Sequence, residues 1–338
     1  MKKYLILWCI CLSAMPRAQA RQERIASLGY LGDITDVDTP TRAGVALIGG
    51  GGDVAGAFQW MIERSGGGNV VIVRASGNYL YNRTIDSLGK VQSVETLLIN
   101  SRELADHPET AEVIRKAEML FIAGGDQSNY MNYWRGTQTA AAINYLLNEK
   151  KAPVGGTSAG CAILTGLYYS GENGSASAAA LENPYDPLVT LYNNDLLNPP
   201  FLKHVISDQH YVTRKRQGRH VVFMGRIIRD WKLFPNGIAP DEKTAVCIDE
   251  NGHARVFGEG KAYFLRTHPK RPPEQCATGK PLHWKAKRQA IEVYEIQGAP
   301  QGHGHFSVSD FEISKATGGK RYYWWVENGL LKLKEKTR

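Results

Sequence analysis

Residues 156–160 carry the pattern that most constrains how this chain folds, a serine, Ser158, with a glycine two positions away on either side. An apolar run at 152–154 precedes the pattern, and the apolar residues at 162–167 follow it with the spacing of one helix face. A serine with small neighbours between a buried strand and a helix is typical of a nucleophile elbow, which exposes Oγ above the edge of a sheet. The alternative is an ordinary helix N-terminus capped by Thr157 or Ser158. The strand before the pattern and the helix after it favour the nucleophile.

The chain before the elbow alternates between short apolar runs and amphipathic stretches. Strands that alternate with helices favour a parallel sheet with helices on both faces, and functional groups then gather at the carboxyl ends of the strands. We therefore expect an α/β fold, a doubly wound, mostly parallel sheet with a nucleophile elbow. The pattern predicts strands at 44–48, 69–74, 91–99 and 119–123 and one before the elbow, and helices at 54–62, 82–88, 107–117, 128–135 and 139–149.

Three glycine-rich turns follow predicted strands, at 49–52, 124–125 and 155–160. In a parallel sheet these turns lie on one edge. The first turn lacks the third glycine of a dinucleotide-binding fingerprint, because Val54 occupies that position. Close packing of the backbone beneath a site is therefore a better interpretation of this turn than phosphate binding.

The chain after the elbow changes character twice. Residues 170–200 are rich in glycine, serine, alanine, asparagine and proline, which predicts a long surface excursion near the site. The remainder, from about residue 254, is rich in predicted strands. We expect a single domain at 21–338, with a core at 44–250 whose sheet is extended by a β-rich section at 251–338.

The first twenty residues have the composition of a secretory signal peptide. A positively charged start is followed by an apolar stretch too short to span a membrane and by an A-x-A site that ends at Ala20. We expect cleavage after Ala20, no membrane span, and a secreted or periplasmic protein.

The net charge of +8 would attract polyanions in general. The sequence lacks a basic motif interleaved with aromatic residues, so we expect no nucleic-acid partner. The sequence does not give the oligomeric state, and a homodimer remains an open expectation.

Two histidines flank the apolar residues at 205–206 and compete for the role of general base beside the serine. His210 stands in a polar cluster just past the run, which makes it a better candidate than His204. The alternative is a structural histidine in a turn. Glu242 or Asp241, at the mouth of the next strand, would orient the imidazole, and spacing alone does not choose between them.

No metal or organic cofactor is expected. His303 and His305 form a His-x-His pair, but no carboxylate or cysteine spacing completes a zinc site. Beyond the leader the chain has three cysteines, enough for at most one intramolecular disulfide, and plain thiols are the simpler interpretation. They are Cys161, Cys247 and Cys276.

The segment that holds His210 is strongly basic, with arginines at 214, 216 and 219. Such a run is usually a solvated face. Beside a candidate base, however, guanidinium groups suit a substrate rich in carboxylates, which they bind through paired hydrogen bonds.

Several separate motifs, in order along the chain, resemble the cyanophycinase group of the peptidase family that also holds aspartyl dipeptidase E. The resemblance covers roughly residues 44–249, and its C-terminal limit leaves the β-rich section outside. The motifs are GTSAG at 156–160, GGDQ at 124–127, DQH at 208–210 with the three arginines, and DEKTA at 241–245.

This resemblance implies a fold like that of class I glutamine amidotransferases, with serine at the elbow. It implies Ser158 as nucleophile, His210 as base and Glu242 as the orienting acid. By analogy, the oxyanion hole combines the Ala159 N–H with one from Gly124 or Gly125. The residues that match the family's substrate pocket are Gln127, Asp208, Gln209, Arg214, Arg216 and Arg219.

The resemblance also implies a substrate, cyanophycin, in which arginine is joined to each β-carboxylate of a polyaspartate backbone. The expected reaction is release of β-aspartyl-arginine dipeptides by an exported serine exopeptidase, with Asp208 available to an arginine of the polymer. One alternative is the same chemistry on small aspartyl or isoaspartyl peptides. The other is a non-catalytic binding protein that retains the fold.

Overall fold

The computed structural model describes residues 24–336, so the expected leader and its cleavage site lie outside the described residues. The strands are β1 (Ser27–Gly32), β2 (Gly44–Ile48), β3 (Asn69–Arg74), β4 (Ser93–Leu98), β5 (Met119–Ile122), β6 (Pro153–Thr157), β7 (Leu167–Tyr169), β8 (Leu191–Asn193), β9 (Val205–Ser207), β10 (Asn236–Pro240), β11 (Thr244–Asp249), β12 (His253–Gly258), β13 (Lys261–Arg266), β14 (Ile291–Gln297), β15 (His303–Ser307), β16 (Gly319–Glu327) and β17 (Leu330–Glu335). The helices are α1 (Ala55–Arg64), α2 (Leu80–Leu88), α3 (Arg102–Asp106), α4 (Pro108–Lys116), α5 (Gln127–Trp134), α6 (Gln138–Tyr145), α7 (Ala159–Ile163) and α8 (Gln217–Trp231).

The first sheet has a parallel centre. Its strand order is β1-β4-β3-β5-β6-β2-β11-β12-β15, and the five strands from β4 to β2 run parallel. These central strands are buried along nearly their whole length, as expected for strands that helices cover on both faces. The predicted doubly wound α/β sheet is confirmed, with antiparallel strands added at both edges.

A second sheet contains most of the C-terminal strands, in the order β17-β16-β14-β13-β10-β9-β7-β8. Of the strands after residue 250, only β12 and β15 extend the first sheet. The β-rich C-terminal section is therefore confirmed, but the expectation that it extends one sheet holds only for β12 and β15, and its other four strands belong to the second sheet. Alternating hydrophobicity predicts that a segment is a strand, whereas its partner is decided by which faces meet in the folded chain.

The two sheets pack face to face. Phe264 on β13 stacks on Phe306 on β15 with ring centroids 4.1 Å apart, and both side chains are fully buried. Burying an aromatic side chain of this size stabilises the fold by about 1.5–3 kcal/mol. The outer face of the first sheet packs against α1 and α2 through side chains such as Phe58, and α8 packs against the second sheet. The site described below lies where these two sheets meet.

One glycine of the elbow strand brings a helix close to the sheet. A Cβ on Gly155 would lie 2.6 Å from Sδ of Met61, on α1. A larger residue at 155 would therefore require the Met61 side chain to shift. Within the described range 24–336, no helix is long and apolar enough to cross a membrane.

Candidate active site

Ser158 occupies the sharp turn between β6 and α7. Its backbone has φ 53° and ψ −113°, a conformation that costs free energy for any residue other than glycine and is common at nucleophile elbows. A Cβ on Gly156 would lie 2.5 Å from the carbonyl of Gly160, and a Cβ on Gly160 would lie 2.3 Å from the carbonyl oxygen of Ile122. Both glycines are therefore required by close contacts. The side chain of Ser158 makes no capping bond to α7, so the capping interpretation is not supported.

Three side chains form a hydrogen-bonded series that starts at this serine. Oγ of Ser158 lies 2.8 Å from Nε2 of His210, and Nδ1 of His210 lies 2.7 Å from Oε1 of Glu242. Glu242, rather than Asp241, is the carboxylate at the histidine. The side chain of His204 is exposed.

The two sheets deliver these groups from different directions. Ser158 follows β6 of the first sheet, whereas His210 and Glu242 follow the parallel neighbours β9 and β10 of the second. Parallel neighbours end at the same edge, so the histidine and the carboxylate meet although 32 residues separate them.

The glycine turn at 49–52 packs directly on this series. A Cβ on Gly50 would lie 2.5 Å from Cε1 of His210, and a Cβ on Gly51 would lie 2.5 Å from Cδ of Glu242. The N–H of His210 also donates to the carbonyl oxygen of Gly49 at 2.9 Å. The predicted role of this turn, close packing beneath a site, is confirmed.

Burial lowers the pKa of His210 below its ordinary value, and the positive charges of Arg214 and Arg216 act in the same direction. The hydrogen bond to Glu242 opposes this shift but does not cancel it. The imidazole is therefore neutral near pH 7. With its Nδ1–H donated to Glu242, its Nε2 accepts a hydrogen bond from Ser158.

The turn after β5 lies against the nucleophile. A Cβ on Gly124 would lie 3.3 Å from Cβ of Ser158, whereas one on Gly125 would approach Oγ of Ser76 at 3.3 Å. Ala159 is the first residue of α7, where backbone N–H groups have no acceptor within the helix. Of the three predicted oxyanion-hole residues, Ala159 follows Ser158 directly, Gly124 packs against it, and Gly125 is the next residue of the same turn.

Asp208 and Arg219 are paired with each other. Nε of Arg219 donates to Oδ2 of Asp208 at 2.9 Å, and Nη2 donates to Oδ1 at 2.5 Å, while both side chains are only 1% exposed. Burial would raise the pKa of Asp208, but the adjacent guanidinium lowers it below its ordinary value. Arg219 also donates to the carbonyl oxygen of Ala176 at 3.0 Å. The expectation that Asp208 meets an arginine of the substrate is therefore corrected: its carboxylate is only 1% exposed and both oxygens are bonded to Arg219.

The other predicted pocket residues keep hydrogen-bonding groups unused. Within residues 24–336, the side-chain amides of Gln127 and Gln209 make no hydrogen bond. Arg216 donates one bond, from Nη1 to the carbonyl oxygen of Gln209 at 2.9 Å. Arg214 is 54% exposed, with Nε 3.5 Å from Oε1 of Glu242. These four residues can still bind a ligand.

The predicted excursion at 170–200 reaches the site. A Cβ on Gly171 would lie 2.8 Å from Nε2 of Gln127, so the start of the excursion borders that predicted pocket residue.

The sequence matches peptidase family S51 over residues 81–256. The chain belongs to peptidase family S51. The family resemblance inferred from the motifs is thus confirmed, and the matched range includes Ser158, His210 and Glu242.

The relatives of this S51 chain include two cyanophycinases. One, from Synechococcus elongatus, is 29% identical over 188 residues, which are 55% of this chain and 53% of that protein. Another, from Geminocystis herdmanii (strain PCC 6308), is 25% identical over 171 residues, 50% of this chain and 57% of that protein. The chain therefore spans about half the length of the curated relatives it matches.

Two solved structures are similar to it. A peptidase from an acI-B1 Actinobacterium is 19% identical, with a TM-score of 0.49. The match covers 66% of this chain and 91% of that peptidase. A putative peptidase E protein from Listeria monocytogenes EGD-e has a TM-score of 0.40 and 17% identity, and covers 64% and 99%, respectively.

Sequence reasoning missed a second layer beneath the S51 site. His220 on α8 is fully buried, with Nδ1 3.1 Å from the hydroxyl of Tyr211 and Nε2 3.2 Å from the carbonyl oxygen of Ile206. Burial lowers the pKa of His220 to about 4. The sequence could have predicted this burial, because His220 lies among the apolar residues of one face of α8 and a neutral histidine can be buried there.

The histidine pair and the three cysteines were the remaining candidates for metal or redox chemistry. No group of three or more His, Cys, Asp or Glu side chains in the described part of the chain is arranged to hold a metal ion. His303 instead bonds the carbonyl oxygen of Gln297 through Nδ1 at 3.0 Å. Cys161, Cys247 and Cys276 are buried free thiols.

Proposed function

We propose that this S51 protein is a serine peptidase that cleaves aspartyl peptide bonds through an acyl-enzyme on Ser158. The observation that carries the proposal is the series of hydrogen bonds from Ser158 through His210 to Glu242, at 2.8 Å and 2.7 Å. This is the arrangement that a nucleophile, its base and an orienting carboxylate require.

The proposed reaction proceeds by acylation of Ser158 and then hydrolysis of the acyl-enzyme. Nε2 of His210 accepts the hydroxyl proton while Oγ of Ser158 bonds to the carbonyl carbon, and the N–H of Ala159, with that of Gly124 or Gly125, stabilises the oxyanion. The tetrahedral intermediate then breaks its C–N bond, and the amine leaves with the proton from His210. Water attacks the resulting ester with His210 again as base, which releases the acid and restores Ser158.

The proposed substrate is cyanophycin, cleaved to β-aspartyl-arginine. Two considerations support it. Relatives of this chain are named cyanophycinases, and unused guanidinium and amide groups at 127, 209, 214 and 216 suit a substrate with free carboxylates, which cyanophycin carries on its linked arginines. Small aspartyl or isoaspartyl peptides also carry free carboxylates and are the second candidate. A complete Ser–His–Glu series argues against a non-catalytic binding protein.

We further propose that the protein is exported, on the strength of the leader composition at 1–20. The intact mass of protein recovered from the medium or the periplasm tests this: a chain that begins at Arg21 supports export, and a full-length cytoplasmic chain refutes it.

Cyanophycin should be incubated with the purified protein and with its Ser158→Ala variant, and the products read by mass spectrometry. We expect the wild type to release β-aspartyl-arginine and the variant to lose about 10⁴-fold or more in rate. Ser309→Ala, an exposed serine beyond β15, is the matched control and should remain active. An intact polymer with cleavage of an isoaspartyl dipeptide would move the substrate to the second candidate. Inactivity on both would refute the proposal.

A further inference from the structure

We infer that Asp241 is a positioning residue that holds the segment 211–216 and thereby aims Arg214 at the substrate carboxylate. This inference rests on the proposed function. It concerns a residue that the motifs left as the unused alternative to Glu242.

Asp241 accepts three hydrogen bonds from one turn. The N–H groups of Val212 and Thr213 donate to Oδ1 at 3.0 Å each, and Oγ1 of Thr213 donates to Oδ2 at 3.2 Å. Successive N–H groups in a turn form a natural cradle for an anion, and here a carboxylate of the same chain fills it. Both oxygens of Asp241 are therefore directed at this one turn.

Asp241 itself is firmly held. Its N–H donates to the carbonyl oxygen of Lys261 at 2.9 Å, and a Cβ on Gly49 would lie 1.9 Å from its carbonyl oxygen. The carboxylate thus projects from a backbone position fixed by both sheets.

The turn that it holds is otherwise exposed and strained. Residues 212–215 are exposed, and both His210 and Lys215 have positive φ, 49° and 52°. Such conformations cost about 1–3 kcal/mol each and persist only where surrounding contacts impose them. The turn has internal bonds, such as the 3.0 Å bond from the Arg214 N–H to the His210 carbonyl oxygen. Within residues 24–336, the polar contacts that join 212–215 to the body of the protein are the three bonds to Asp241 and the ion pair of Arg214 with Glu242.

The two neighbouring acidic residues therefore hold different parts of the segment. Glu242 holds the imidazole of His210 at the start of the segment, and Asp241 holds its middle. Arg214 follows the held residues directly, and its Nε stands 3.5 Å from Oε1 of Glu242. A guanidinium in this position faces the reacting centre, where it would bind a substrate carboxylate.

The test compares Asp241→Ala with Asp241→Asn, using the full chain. Alanine removes all three bonds. Asparagine keeps an acceptor at Oδ1 for both N–H groups, and its Nδ2 can donate to Oγ1 of Thr213. We expect alanine to raise KM by about tenfold to a hundredfold with little change in kcat, and asparagine to restore most of the loss. Both variants lack the negative charge, but only asparagine keeps the hydrogen bonds. An equal rise in KM in the two variants would therefore refute positioning, because it would show that the charge and not the hydrogen bonds is required.

A double substitution shows whether the effect passes through Arg214. In an Arg214→Gln background, Asp241→Ala should raise KM by less than about twofold more. A full, multiplicative effect in that background would overturn the inference.

Trypsin provides a readout that needs no substrate, because Arg214, Lys215 and Arg216 are all cleavage sites in the held turn. Asp241→Ala should be nicked there faster than the wild type, with fragments identified by mass, and Asp241→Asn should resist. An inactive wild type would refute the proposed function but leave this result interpretable. Unchanged cleavage in Asp241→Ala would refute the inference itself.

Discussion

The buried pair of Asp208 and Arg219 allows a sharp test of whether these residues stabilise the fold rather than bind substrate. Replacing Arg219 by methionine leaves the buried carboxylate of Asp208 with the guanidinium of Arg216, whose Nη1 lies 3.8 Å from Oδ1. Removing one partner of a buried ion pair costs about 3–5 kcal/mol where the remaining charge is uncompensated, and because Arg216 stays close we expect a loss of about 3 kcal/mol. Domains of ordinary stability unfold with about 5–15 kcal/mol, so this single change removes a large share of the total.

The double variant measures how strongly Asp208 and Arg219 depend on each other for stability. With Asp208→Asn added to Arg219→Met, neither charge of the pair remains, and we expect roughly 2 kcal/mol of the loss to return. The recovery is incomplete because Arg219 also donates to the carbonyl oxygen of Ala176, and no other bond replaces that one. Arg214→Met, an exposed arginine five residues away, is the matched control and should change stability by less than about 0.5 kcal/mol.

The measurement is urea unfolding at pH 7, followed by tryptophan fluorescence and by circular dichroism, with coincident transitions required before free energies are compared. Arg219→Met within about 1 kcal/mol of the wild type would refute the structural role. A double variant as unstable as the sum of the two single variants would refute the coupling. A stable Arg219→Met protein with a raised KM would show that Arg219 binds substrate instead.

Two further results should follow from the layers around the site. Gly50→Ala should reduce kcat by about a hundredfold or more, because its Cβ would lie 2.5 Å from His210 and displace it. Gly136→Ala is the control: it has a similar positive φ, 72° against 85°, but open space at its Cβ, so equal activity loss in both would show that backbone strain, not the contact, is responsible. The second result concerns His220, whose pKa of about 4 lies below the ordinary 6.5, so the unfolded chain binds the proton more readily. Stability from this group is fully present above pH 6.5 and is lost as pH falls toward 4, by about 3 kcal/mol in total. Urea unfolding at pH 7 and pH 4.5 should show a smaller pH dependence in His220→Gln than in the wild type, and an unchanged dependence would contradict this account.

The sequence alone predicted the features that depend on neighbouring residues. The parallel centre of the first sheet followed from the alternation of apolar runs and amphipathic stretches, and the elbow followed from small residues around Ser158. The glycines at 49–52 were identified as a packing surface because the spacing of a phosphate-binding turn failed at Val54. Each of these properties is set within a few residues, where periodicity and backbone freedom act directly.

Tertiary structure decided the pairings between distant segments. Asp241 and Glu242 are adjacent and chemically alike, and only the meeting of the two sheets directs Glu242 to His210 and Asp241 to the turn at 212–213. Asp208 was expected to be free for substrate, but Arg219, on the following helix, takes both of its oxygens. The C-terminal strands were identified by composition, yet their division between two sheets depends on which apolar faces bury one another. Local sequence patterns thus identified which residues form this site, whereas the partner of each residue depends on long-range packing and cannot be predicted from a local pattern.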